Sequence, residues 1–305
     1  MENTFPQITR LWITEKKRYV KKSTYAIYAH ICHKYLIPAF SREIPTEEHI
    51  QAFADDMLTR SYAIKTVKDS LTVLRMILRY GQKRGAWPSA DFTVHFSTQS
   101  KQEKNLSTLT RGQQSRLYRY LTRNCTHRNL GILICLHSGL RIGEVCGLQW
   151  KDLDAARGVI HVNKTVQRIY IADADYHEYT LSVDIPKTPS SIRDIPMSGE
   201  LRKQILVLKK HVRQTDFVLS DSPTPLEPRL YRAYYYRLLR RLCIPPIRFH
   251  ALRHSFATRC IEGKCDYKTV SAILGHASIS TTLDLYVHPG YREKKQVIDR
   301  LARML

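Results

Sequence analysis

Apolar spacing divides the chain into a helical first third, a polar stretch and a mixed remainder. Over residues 23–38, Ile27, Ile31 and Tyr35 recur at four-residue steps, predicting a helix with Ser23 as N-cap that ends at Pro38. In PTEEHIQAFADDMLTR, Thr46 can cap a helix with an acidic first turn. Its Ile50, Phe53, Ala54, Met57 and Leu58 then share one face. A third helix, AIKTVKDSLTVLRMILRYGQKRG, is predicted to bury Ile64, Val67, Leu71, Leu74 and Leu78 and to stop near Gly81. Its other face carries Lys65, Lys68, Arg75 and Arg79. Residues 86–106 lose the helical period and become polar, as expected of a linker.

Past the linker, Thr110 and Gln113 have the spacing of a capping box. An apolar helix is predicted around 130–136, closed by Ser138-Gly139, with a short helix from about 141 to 148. GVIHV, QRIYIA and YTLSVDI alternate or are β-branched, which predicts strands of a small antiparallel sheet. Helices resume at about 200–212, 229–242, 252–262 and 268–274. The expected fold is mainly α with a small antiparallel β-sheet: a helical domain over 1–85, the linker 86–106, and an α+β domain over 107–305.

Charge narrows the function. The chain holds 49 Lys and Arg against 27 Asp and Glu, a net charge of +22. The excess is shared, with 17 basic and 10 acidic residues before position 105 and 32 and 17 after it. A polyanion partner is expected, because neutralised phosphates release counterions. A two-domain clamp on DNA fits this spread better than a basic arm beside a neutral body. In that setting Lys65, Lys68, Arg75 and Arg79 are candidate phosphate contacts, although a basic helix face is more often simply solvated. Seven cysteines form no CxxC pair, which points to buried thiols in a reducing compartment and not to zinc or disulfides. The start MENTFPQITR has no apolar signal core and no run approaches a membrane span, so a cytoplasmic, nucleoid-associated protein with no membrane partner is expected.

Four local patterns could carry chemistry, and each has an ordinary explanation alone. HSGLRIGEVCGL places Arg141 and Glu144 one helical turn apart, usually a surface ion pair. HALRHSFAT sets His250, Arg253 and His254 at i, i+3 and i+4, but no Cys or acid completes a metal site and an Arg among the ligands opposes a cation. LGHASISTTLDLYVH holds His276 after Gly275 and Tyr286 ten residues later, and most tyrosines so placed are core. PKTPSSIRDIP offers Lys187 in a polar, turn-rich segment, where a Lys is usually solvated.

Taken together and in order, Arg141, Lys187, His250-x-x-Arg253, Gly275-His276 and Tyr286 resemble the active-site set of the tyrosine recombinase (phage integrase) family. The resemblance covers nearly the whole chain, with 1–85 similar to a core-binding domain and 105–305 to a catalytic domain. The PKTPSSIR segment looks more like lambda-type and conjugative-transposon integrases than Xer proteins, although no room is expected for a separate arm-binding domain. The resemblance implies Tyr286 as nucleophile on a DNA phosphate and Lys187 as general acid to the departing 5′-oxygen. Arg141 and Arg253 would act as forks on the non-bridging oxygens, with His250 and His276 as hydrogen-bonding or proton-moving groups and Glu144 orienting Arg141. It further implies specific double-stranded DNA sites, a homotetramer on DNA, accessory DNA-bending proteins, and a tail helix over 292–305 docking on its own domain or a neighbour's. No cofactor or metal is implied, since one phosphate ester replaces another. An Xer-like resolvase, a DNA invertase, a type IB topoisomerase, a non-catalytic DNA-binding protein and a metal-dependent nuclease remain alternatives at this level.

Overall fold

The computed structural model describes residues 4–41, 44–87, 91–96, 108–173, 176–186, 189–286, 295, 298, 299, 301 and 302, with the backbone alone at 171–173, 176–178, 189, 211 and 284–286. It divides into two compact units, one of residues 1–102 with 168–180, the other of 103–167 with 181–305.

The first unit opens with a helix that the sequence analysis did not predict, α1 (Phe5–Tyr19), with Phe5, Ile8, Trp12 and Ile13 on its buried face. The Thr4 N–H donates to Gln7 Oε1, so the start carried a capping signal. α2 (Lys22–Ile31) begins one residue before Ser23 and runs through a π-helical turn (Cys32–Leu36) into α3 (Ile37–Ala39). Ala26, Ala29, Ile31 and Leu36 are buried and Tyr35 packs against the core, while Ile27 is 53% exposed, so Ile27 is not the core residue expected. α4 (Glu47–Thr59) starts at Thr46, whose hydroxyl accepts from the His49 N–H, and buries Ile50, Phe53, Ala54 and Met57 as predicted.

α5 (Ile64–Lys83) stops near Gly81 as the sequence suggested, although Gly81 itself lies inside the last turn. Trp87 folds back so that a Cβ on Gly81 would collide with its ring, and its indole N–H donates to Leu78 O. The helix ends at Arg84, followed by Gly85 at φ +70°. Residues 91–96, expected within the linker, lie along α4 and α5. Phe92 joins the core, Gln51 bonds both the N–H and the carbonyl of His95, and Glu47 accepts from the Thr93 N–H.

In the second unit, Thr110 and Gln113 form the predicted capping box of α6 (Arg111–Arg123). α7 (His127–Ser138) is the central helix, buried continuously from Asn129 to Leu136, and ends at Gly139 in the left-handed conformation. α8 (Ile142–Gly147) follows at once. A three-stranded antiparallel sheet comes next, with β1 (Leu153–Asp154), then β2 (Val159–Val162) at its centre. β3 (Thr165–Asp173) and β4 (Tyr176–Asp184) pair separately as a hairpin, and its outer part, Arg168–Thr180, belongs to the first unit. The chain returns as β5 (Arg193–Pro196) beside β2, Ile160 opposite Ile195. The end of the PKTPSSIRDIP segment is thus a strand and not the loop expected.

α9 (Gly199–Leu208) and α10 (Pro228–Arg241) close the core, the latter burying Tyr231 and Tyr235. α11 (His250–Glu262), α12 (Tyr267–Leu274) and α13 (Ser280–Tyr286) complete the described elements. Most of the tail 292–305 lies outside the described residues. Among the described residues, no helix is long and apolar enough to cross a membrane.

Candidate active site

Two helix stops deliver the first groups. Gly139, at φ +65°, ends α7 where a Cβ would come within 2.6 Å of Leu274, and the reversed chain presents Arg141 as the N-cap of α8. Gly275, at φ +66°, ends α12 in the same way, with no room for a Cβ beside Ser190 O and the Arg193 guanidinium. His276 follows it directly.

Glu144 lies at the centre of the charge network, and it is no surface pair. Its side chain is 3% exposed. It accepts from the Arg141 backbone N–H at 2.9 Å and from Arg141 Nη1 at 2.7 Å. From the other side Arg193 donates to both carboxylate oxygens, at 3.3 and 3.1 Å. Burial alone would raise the Glu144 pKa, but the hydrogen bonds and charge of Arg193, then Arg141, outweigh it and hold the carboxyl below its usual range. Arg141 also reaches Gly275 O at 3.3 Å, linking the two glycine turns. Arg193 and its strand were missed in the sequence. The signal available was an Arg three residues before Pro196, which says nothing of burial.

α11 supplies the next groups. Arg253 is buried, and its Nη1 donates to Gly139 O at 3.0 Å, just ahead of Arg141. His250 begins the helix, and its ring meets that of His254 edge to face at 4.6 Å. Among the described residues no group of three His, Cys, Asp or Glu could hold a metal. Although His250 keeps a solvent-facing side, the protein packed around it holds its pKa down to about 4, with His254, Arg253 and Arg141 adding to the effect. His276 Nδ1 lies 2.8 Å from the hydroxyl of the buried Thr282, leaving Nε2 for other partners. Burial, then Arg253, Arg141, Arg193 and His250, hold this imidazole at about 4 as well. Both rings are therefore neutral near pH 7.

Arg141, Glu144, Ser191, Gly275 and the β3 residues Thr165 and Gln167 line a cleft of about 320 Å³, with Pro186 at its edge. Lys187, next along, lies outside the described residues. α13 ends at Tyr286, whose side chain also lies outside them. The structure thus brings Arg141, Glu144, His250, Arg253 and His276 into one electrostatic neighbourhood.

Lys65, Lys68, Arg75 and Arg79 are all on α5, and each meets a local partner. Lys65 pairs with Asp69 and Arg79 with Asp91, both highly exposed pairs of little energetic weight. Lys68 lies over the Phe96 ring. Arg75 is more firmly committed, stacked 4.4 Å from the Phe92 ring centre and donating to Phe92 O.

Comparison with known proteins places this geometry. Residues 107–293 match the profile of the phage integrase family. The chain is 25% identical to a tyrosine recombinase XerC-like protein of Caldanaerobacter subterraneus subsp. tengcongensis, with 98% of the chain and 82% of that protein aligned. It is 29% identical to the ICEBs1 integrase of Bacillus subtilis over 55% of the chain, and spans 46% of that integrase's length. Its fold matches a Tn1549 transposon integrase in complex with transposon right end DNA, with a TM-score of 0.78 at 22% identity over 98% of this chain and 99% of that one. A lambda integrase dimer bound to a COC' core site has a TM-score of 0.63 at 17% identity, over 92% and 94%. At such identities the structural matches establish the fold.

Proposed function

This chain belongs to the phage integrase family as a site-specific tyrosine recombinase, and from that premise we propose that it integrates and excises a mobile DNA element with Tyr286 as nucleophile. The observation that carries the proposal is the meeting of Arg141, Arg253, His250 and His276 around one site, after which α13 brings the chain to Tyr286.

In the proposed reaction the Tyr286 hydroxyl gives up its proton to a base of the site as its oxygen bonds to phosphorus and the P–O5′ bond breaks. The product is a 3′-phosphotyrosyl link and a free 5′-hydroxyl whose proton comes from Lys187. Charge gathers on the non-bridging oxygens during transfer, and the permanently charged planar forks of Arg141 and Arg253 suit it. Neutral His250 and His276 each offer one hydrogen bond and one proton-accepting nitrogen. Removing one such donor costs about 10²–10³ in rate. Because one ester replaces another, religation needs no external energy source.

Integration and excision are favoured over Xer-like resolution or inversion by the long β3–β4 hairpin leading to the PKTPSSIR segment and by the likeness to the ICEBs1 integrase. The proposed partners are double-stranded DNA at specific sites and three further copies of the chain, with accessory DNA-bending proteins. Ile298 and Leu301 of the tail expose apolar side chains suited to a neighbouring protomer.

Nicked DNA carrying candidate element-end sites, incubated with wild-type protein and Tyr286→Phe in EDTA, tests the chemistry on a denaturing gel. A covalent protein–DNA band from wild type alone is the expected result. Firm binding with no band from wild type would overturn the nucleophile assignment.

A further inference from the structure

Arg193 is bound on three sides within the site, yet the reaction described above gives it no role. It leaves β5, and its side chain is 7% exposed. Nε donates to Ile273 O at 2.6 Å, in the last turn of α12. Nη1 donates to Ser191 O at 2.9 Å, in the turn that precedes β5. Nη1 and Nη2 together hold the Glu144 carboxylate. Four N–H groups of the five on a guanidinium are thus committed to protein acceptors. Arg141, by contrast, lines the cleft with a side chain 37% exposed.

We infer that Arg193 is a positioning residue for strand cleavage: through Glu144 it fixes the direction of the Arg141 fork, and through Ile273 it fixes the turn that carries His276. The inference rests on the tyrosine-recombinase reading of the site. Its physical basis is that Glu144 is shared. A buried carboxylate facing Arg141 alone would be free to turn with it, whereas one gripped from behind at both oxygens presents a fixed acceptor. The Gly275 turn sits directly on the same guanidinium, a Cβ there falling 3.0 Å from Arg193 Nη1. Arg141 in turn bonds Gly275 O, so α8, α12 and β5 meet at one planar group. A lysine would keep the charge but could not face these directions at once. The dominance of Arg193 over Arg141 among the groups holding Glu144 ionised agrees with this arrangement.

A double-mutant cycle tests the inference. Wild type, Arg193→Lys, Glu144→Gln and the double variant are compared for single-turnover covalent product on nicked DNA at saturating protein, alongside DNA affinity and thermal unfolding. Arg193→Lys is expected to keep affinity within about twofold and a cooperative melt while cleavage falls about 10²-fold, the scale on which small misplacements act. The double variant is expected to cleave no more slowly than the worse single variant, because both substitutions act through one carboxylate. On DNA with a neutral methylphosphonate at the cleavage position, which asks less of Arg141, the Arg193→Lys defect is expected to shrink at least tenfold. Cleavage equal to wild type, losses that multiply, or a defect unchanged on methylphosphonate each overturn the role. Should Arg193→Lys lose its cooperative melt, Arg193→Gln combined with Glu144→Gln, which leaves no lone buried charge, takes its place; wild-type cleavage by that pair overturns the inference. Wild-type protein that yields no Tyr286-dependent product at all refutes the parent reading, and this one with it.

Discussion

At the scale of single residues, the two imidazoles make the sharpest statement about pH. His250 and His276 are held to about 4 in the folded chain, against an ordinary value near 6.5. Between those values the unfolded chain binds more protons, so folding stability is fully present above about pH 6.5 and declines as pH falls towards 4. NMR titration of the ring nitrogens in the DNA-free protein is expected to find both neutral at pH 6; a midpoint near 6.5 for either would remove this account of its environment. The candidate residues that the structure brings together, Arg141, Glu144, His250, Arg253 and His276, stand in the sequence as an ordered set, because tight turns and helix starts leave marks such as Gly139 before Arg141 and Gly275 before His276. Their energetics were not legible. An Arg–Glu pair at i, i+3 has the same spelling whether it is solvated or, like Glu144, closed off by an arginine 49 positions away.

At the scale of elements, the departures from expectation come from side chains that choose their partners late. Gly81 has the look of a stop, but the glycine is there to admit the Trp87 ring. Gly81→Ala would gain helix propensity, up to about 1 kcal/mol, yet its methyl collides with a buried indole. Net destabilisation of about 1–3 kcal/mol is expected in chemical denaturation, and a stabilised variant would contradict the packing described. Elements with a local cap, α4 at Thr46 and α6 at Thr110, appeared where sequence placed them. The π-turn after α2 has no such local sign, and of the apolar stripe Ile27, Ile31 and Tyr35 only Ile27 faces away from the core. β5 was hidden because four residues of mixed polarity become a strand only beside β2.

For the whole molecule, charge governs. A net +22 spread over both parts of the chain predicts DNA binding dominated by counterion release. For a footprint of 6–10 phosphates, affinity of the Tyr286→Phe protein is expected to fall about 10³–10⁵-fold between 50 and 200 mM salt, and a flat salt response in a filter-binding assay would argue against a clamp. Within the second unit, the Leu109 N–H is held by Ser255 and its carbonyl by Arg259, both on α11. That helix bears Arg253 and begins at His250. A pull on the chain ahead of Leu109 is therefore borne as shear along α11, so tension arriving there loads the same rod on which the proposed phosphate-gripping groups are mounted.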